Sequence, residues 1–197
     1  MIVVGLISNN NEMHYREEVA QLAEWCGTNN LSTVESVSST KFLGVHITED
    51  LIWTTNTMSL SKKAQQRLNF LCRLKSARLL PPILTTFYRG TTKSMLTSCI
   101  TVWYGNCNAA DCKTLQRTVN TAAKIISAPL PSILDIFLAR CSRKATVIVK
   151  DSTHPFHNLF QLLPSGRQFQ GIRARSARLL YTHHMKTVEN LKNIVQF

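Results

Sequence analysis

The chain has 197 residues, 44% of them hydrophobic, and a formal net charge of +12 at pH 7. That apolar content is enough for a buried core in one or two domains. No apolar run approaches the roughly 20 residues that a bilayer-spanning helix requires, so an intracellular protein of nucleus or cytoplasm is expected, neither secreted nor anchored in a membrane.

The opening MIVVGLISNN reads as a short buried strand over residues 2–7, bounded by a polar turn and lacking the basic leader and cleavage site of a secretory signal. Residues 12–27 follow as a helix. Glu17, Glu18 and Glu24 face water on it, Val19, Leu22, Ala23 and Cys26 make its apolar side, and Gly27 is placed to cap it. TNNLSTVESVSST reads as a loop, and KFLGVHI as a second strand over 42–47, around a glycine that permits close backbone approach. From about Met58, Leu60, Ala64, Leu68, Leu71 and Leu74 recur at helical intervals until LLPP ends the run.

A further helix starts near Pro82, with Leu84, Phe87, Tyr88, Met95, Cys99, Val102 and Trp103 on one face. After the turn YGNCNAAD, a helix over about 110–127 buries Leu115, Val119, Ala122, Ala123 and Ile126, and APLPS stops it. Another covers 133–149, and the tail adds one from about Ile172. The expected fold is mainly α. A small α/β part of two strands and a helix occupies 1–50, a basic helical bundle 51–128, and a basic, irregular or helical C-terminal region 129–197.

Catalytic chemistry finds few candidates. There is no GxG pair, no GxxxxGK[ST] loop and no GxSxG elbow. The adjacent carboxylates Glu49 and Asp50 point to opposite sides of an extended segment, whereas a two-metal site needs them to converge. A capping or loop role suits Asp50 better. Cys107 and Cys112 with His154 and His157 could be assembled into a zinc site, but the spacings are marginal and Pro155 divides the histidines. Turn or buried cysteines and loop histidines are the ordinary explanation. The six cysteines form no compact framework and read as reduced thiols. No catalytic residue, metal or cofactor is expected.

The charge is more telling than its total. Residues 1–50 hold two basic and seven acidic residues; 51–197 hold twenty-one basic and four acidic ones. Between Asp50 and Asp111 there is no carboxylate, while Lys62, Lys63, Arg67, Arg73, Lys75, Arg78, Arg89 and Lys93 lie inside the gap. Such a one-sign stretch suggests a polyanionic partner, RNA or DNA backbone bound with little sequence specificity. Arg173, Arg175 and Arg178 form a second candidate cluster. The eight do not make one clean stripe on a helical wheel, and a basic surface without a specific ligand is the alternative. Tyr88, Trp103 and Tyr104 could stack on bases, although aromatics at helical spacing more often belong to a core.

Three strings carry a resemblance: KFLGVHITEDLIWTTNTMSLSKKAQQRLNFLCRLK, ILTTFYRGTTKSMLTSCITVWYGNCNAADCKTLQRTV and HPFHNLFQLLPSGRQF. They resemble the C-terminal part of reverse transcriptases from non-LTR retrotransposons of the kind abundant in fish genomes. The resemblance implies that FLG marks a strand and turn near the primer end, and that the helices after it form a thumb holding template–primer backbone. It also implies that VVGLISNNNE follows the palm's catalytic Asp-Asp hairpin, so that Met1 stands just beyond the metal-binding aspartates, and that a segment is missing near residues 31–33. A non-catalytic nucleic-acid-binding remnant is the expectation, and an inert decayed fragment the alternative.

A shorter string, SLSKKAQQRLNFLCRLKSARLL, is similar to a basic helical segment at the N-terminus of AlkB homologue 8 proteins. These join an iron and 2-oxoglutarate-dependent oxygenase to a methyltransferase. The oxygenase chemistry is not expected to follow. It needs a His-x-Asp pair, and no histidine here, from His14 to His184, has a carboxylate two positions on.

Overall fold

Apolar residues at three- and four-residue spacing wind residues 54–76 into the longest helix of this computed structural model, which describes residues 13–30 and 37–160. The chain divides into two compact units, Met1–Ser38 and Ser39–Phe197. In the first, helix α1 spans Met13–Thr28. Glu17, Glu18 and Glu24 are exposed on it, while Val19 and Leu22 are half-buried and Cys26 is buried. Gly27 does not cap the helix. Instead Thr28 Oγ1 donates to the Glu24 carbonyl at 2.6 Å and Asn29 Nδ2 to the Trp25 carbonyl at 2.8 Å. Asn30 takes the left-handed φ of 53°, which a short polar side chain tolerates. The strand expected over 2–7 and the helix expected from Ile172 lie outside the described residues.

The second unit opens with a hairpin where one strand was expected. β1 (Ser39–Phe42) pairs antiparallel with β2 (Val45–Thr48), in the register Phe42 to Val45 and Ser39 to Thr48. Leu43 and Gly44 have φ of 48° and 84°, so both central residues of this two-residue loop are left-handed. That is the type I′ geometry, whose twist matches the strands it joins. Gly44 is therefore needed for its φ and not for a close approach, since a Cβ there would meet nothing within 4 Å. Val45 joins Trp53 in the core, and Asn56 Oδ1 accepts the His46 amide at 3.2 Å. Asp50 takes a loop role: its carboxylate accepts the Thr48 hydroxyl at 2.7 Å and the Ile52 amide at 3.2 Å, turning the chain into the helix over 54–76.

Helix α2 (Thr54–Ser76) packs chiefly on α6 (Ala109–Ile126). Leu60 and Ala64 meet Leu115 and Val119 in one core cluster, and Leu68 and Leu71 meet Ala122 and Ile126 in another. α7 (Ile133–Lys150) adds Ile133, Phe137 and Cys141 to the first cluster. The mainly helical class is thus as expected, with hairpin, bundle and α7 sharing core. Both later helices start on capping side chains. Asn108 accepts the Asp111 amide at 2.7 Å and Ser132 the Asp135 amide at 3.0 Å. Beyond α7, the Asp151 carboxylate accepts the Thr153 hydroxyl at 2.6 Å and amide at 3.0 Å, and these bonds lower its pKa.

The single helix expected from Pro82 is a segmented run. α3 (Pro81–Tyr88) starts on two prolines and passes through a π-helical turn, Arg89–Lys93, into α4 (Ser94–Leu96). The run breaks at Cys99, whose φ is 47°, and resumes as α5 (Ile100–Trp103) and a 3-10 turn, Tyr104–Asn106. Leu84, Tyr88, Thr92, Leu96 and Ile100 are buried in it at a spacing of four, with Thr97, Trp103 and Tyr104 buried beside them. On a 3.6-residue helix such a row drifts about 40° per step. The wider π turn takes up part of that drift and keeps the row on the core. Val102, expected on the buried face, is consequently 54% exposed.

Two arginines reach the irregular points from neighbouring helices. Arg67 of α2 donates to the Thr91 carbonyl in the π turn. Arg140 of α7 donates to the Thr97 carbonyl and, at 3.0 Å, to Thr97 Oγ1. Trp103 Nε1 adds a 2.9 Å bond to the Ser98 carbonyl across the break.

Candidate nucleic-acid interface

Leu60, Lys63, Arg67 and Phe70 follow one stripe of α2 at three- and four-residue spacing, and together they line an open groove of about 640 Å³. Phe87, Gly90, Thr91, Ser94, Met95 and Ser98 of the segmented run line it too, with Gly44 of the hairpin turn. No carboxylate is in this lining. Arg67 is partly committed by its bond to Thr91, and the other N–H donors of its fork have no partner among the described residues. The Lys63 ammonium has no partner among the described residues.

The other sequence candidates are dispersed. Lys62, Arg73 and Arg78 are exposed outside the groove, and Arg89 and Lys93 sit on the π turn but not in its lining. Lys75 lies in a second, shallow cleft with Lys124 of α6, and its Nζ donates to Ser127 Oγ at 3.2 Å. Of the eight, then, only Lys63 and Arg67 converge on the groove. Arg173, Arg175 and Arg178 lie outside the described residues.

The aromatic candidates are core. Tyr88, Trp103 and Tyr104 are buried, with Trp103 edge-on to Tyr104 at 5.8 Å and Tyr104 tilted against Phe137 at 5.1 Å. Burial pushes the Tyr88 phenol up to about 12, and raises that of Tyr104 further, with a contribution from neighbouring Cys112. The rings that reach the groove are Phe70, 56% exposed and not among the expected contacts, and half-buried Phe87, expected only on the apolar face of its helix. Phe70 had a signal. It falls one position off the leucine row of α2, immediately before fully buried Leu71.

The zinc combination is not assembled. Cys107 Sγ donates to the Trp103 carbonyl at 3.4 Å and lies 3.7 Å from Thr57 Oγ1, and burial pushes its thiol up to about 12. His154 Nδ1 accepts the Phe156 amide at 3.1 Å, and His157 Nδ1 lies 3.2 Å from the Ile148 carbonyl. Among the described residues, no group of three or more His, Cys, Asp or Glu side chains could hold a metal ion. Nor is any described helix long and apolar enough to cross a membrane.

Residues 53–94 match the family model described as alkylated DNA repair protein alkB homolog 8, N-terminal. The match begins at the foot of α2 and ends just past the π turn, far short of half the chain. No curated protein and no solved structure matches the chain. The matched stretch covers α2, α3 and the π turn, and includes the groove residues Leu60 to Ser94 on both walls.

Proposed function

We propose that this protein is a non-catalytic nucleic-acid-binding protein, a remnant of a non-LTR retrotransposon reverse transcriptase that holds RNA or DNA by its backbone with little sequence preference. The three strings quoted above support the lineage. The observation that carries the binding is the one-sign surface. Lys62, Lys63, Arg73, Arg78, Arg89 and Lys93 have no ion-pair partner among the described residues, and no carboxylate occurs between Asp50 and Asp111. Cations left unpaired in this way are available to neutralise phosphates, releasing condensed counterions. Phosphate contacts position a strand without reading its bases. The match of residues 53–94 favours a second reading, a helical module of the AlkB homolog 8 type. The oxygenase activity is not part of that reading, because the His-x-Asp pair is missing from the sequence.

The test is fluorescence anisotropy of the purified chain with labelled RNA and DNA at two salt concentrations. Affinity is expected to fall by roughly 10³ between 50 and 200 mM salt if about six phosphates are neutralised. A variant with Lys62, Lys63, Arg73, Lys75 and Arg78 reversed to Glu should bind weakly with a flatter salt slope. Arg67 stays in place, because it also holds Thr91. Equal affinities and slopes for variant and wild type would sink this interface.

A further inference from the structure

We infer that the groove between α2 and the 81–103 run seats a base of a single-stranded nucleic acid on the ring of Phe70, with Lys63 and Arg67 at the neighbouring phosphates. This rests on the nucleic-acid reading above and adds to it a place and a strandedness. Three features of the groove converge on that occupant.

The first is the pairing of charge with an open ring. Lys63, Arg67 and Phe70 share one stripe of α2, so a strand running along the stripe meets two cations and then an exposed aromatic face. A basic groove with an aromatic platform is how single strands are held without sequence preference, since every base has a π-face. A duplex keeps its bases stacked on one another and offers Phe70 none.

The second is size. About 640 Å³ falls within the roughly 300–1,000 Å³ of pockets that hold one small ligand, which suits a nucleotide unit and not the width of a duplex. The wall at Gly90 leaves further room, because a Cβ built there would meet nothing within 4 Å. The third is charge beyond the groove. Lys62 and Arg73 stand exposed on the same helix, and a long polyanion leaving the groove can reach them. A short acidic peptide would use only the groove itself.

The experiment uses the full chain with a labelled oligothymidylate, a duplex of equal charge and an oligoglutamate peptide. Phe70→Ala is expected to weaken oligothymidylate binding by roughly five- to 150-fold, the range seen when a stacking ring is removed. Duplex affinity and its salt slope should stay as in wild type. Phe70→Trp should restore single-strand binding and show fluorescence quenching on addition of the strand, relative to wild type. Because Phe70 is exposed, neither change opens the core, and unchanged thermal melts would confirm it.

Gly90→Leu fills the groove from the opposite wall and should block the single strand as well. Nucleic-acid binding with full salt dependence, but no loss in Phe70→Ala, would overturn this inference and leave the broader reading standing. Equal losses for single strand and duplex would do the same. A wild-type chain that binds oligoglutamate but neither nucleic acid would overturn both.

Discussion

α2 and the run from Pro81 to Asn106 line the same groove, and they solve the problem of burying a row of side chains in different ways. The buried apolar row of α2 is Leu60, Ala64, Leu68 and Leu71, two steps of four and one of three, preceded by buried Asn56 and Thr57. That mixture averages close to the helical repeat, so a regular helix keeps the row on one face. The run buries Leu84, Tyr88, Thr92, Leu96 and Ile100 in steps of four, with Thr97, Trp103 and Tyr104 buried beside them. Four successive steps of four carry a row about 160° around a regular helix. The chain answers with a π turn and a left-handed residue, and arginines from α2 and α7 take up the carbonyls at both irregular points. Spacing alone does not separate the two, since Asn56, Leu60, Ala64 and Leu68 of α2 also step by four; what sets the run apart is the left-handed Cys99 and carbonyls met by side chains of its neighbours.

The sharpest way to break the comparison is at the end of the run. Trp103→Ala removes a fully buried ring and its bond across the Cys99 break, and should cost about 3–5 kcal/mol in urea unfolding. A cost below that of an ordinary Leu→Ala in α2 would mean that the run contributes little to the core.

Arg140→Ala tests the arginine's bonds to Thr97, whose carbonyl also accepts the Ile100 amide at 3.4 Å. Hydrogen bonds to a charged donor support a cost of about 1.5 kcal/mol, taken at the low end because Arg140 is largely exposed. Arg143→Ala, on the same helix and with no partner among the described residues, should stay within about 0.5 kcal/mol. Equal costs for the two would show that the irregular points hold without Arg140.

The smallest effects come from exchanging residues between the two irregular points. Gly90 lies in the π turn beside Arg89, whose φ and ψ are helical, and has open space at its Cβ, so Gly90→Ala should stabilise the fold by about 0.5–1 kcal/mol. Cys99 holds a left-handed φ that costs an L residue roughly 1 kcal/mol, so Cys99→Gly should return about half of that after the loss of its packing. Thermal melts of the two variants would decide. Destabilisation by Gly90→Ala would mean the π turn needs glycine's freedom after all.

Legibility followed the range of the interaction that sets each feature. α2, α6 and α7 were readable because their apolar rows and the prolines that end them or lie between them act within a few residues. The hairpin was missed because its turn is Leu-Gly rather than the usual Asn-Gly, and KFLGVHI scans as one apolar run. Gly27 looked like a cap, but asparagine and threonine side chains ended α1 instead.

For the candidate site, the sequence by itself determined that residues 51–110 would be basic without acidic counterparts, since charge is set by composition alone. It could not say which two of eight cations share a groove. That depends on which face of α2 the second helical run covers, a contact between residues more than twenty positions apart. The same contact decided that Phe70 reaches the groove while Tyr88, Trp103 and Tyr104 fill the core. A helical wheel shows which residues share a face; only packing against a partner decides whether that face is buried or left open to a ligand.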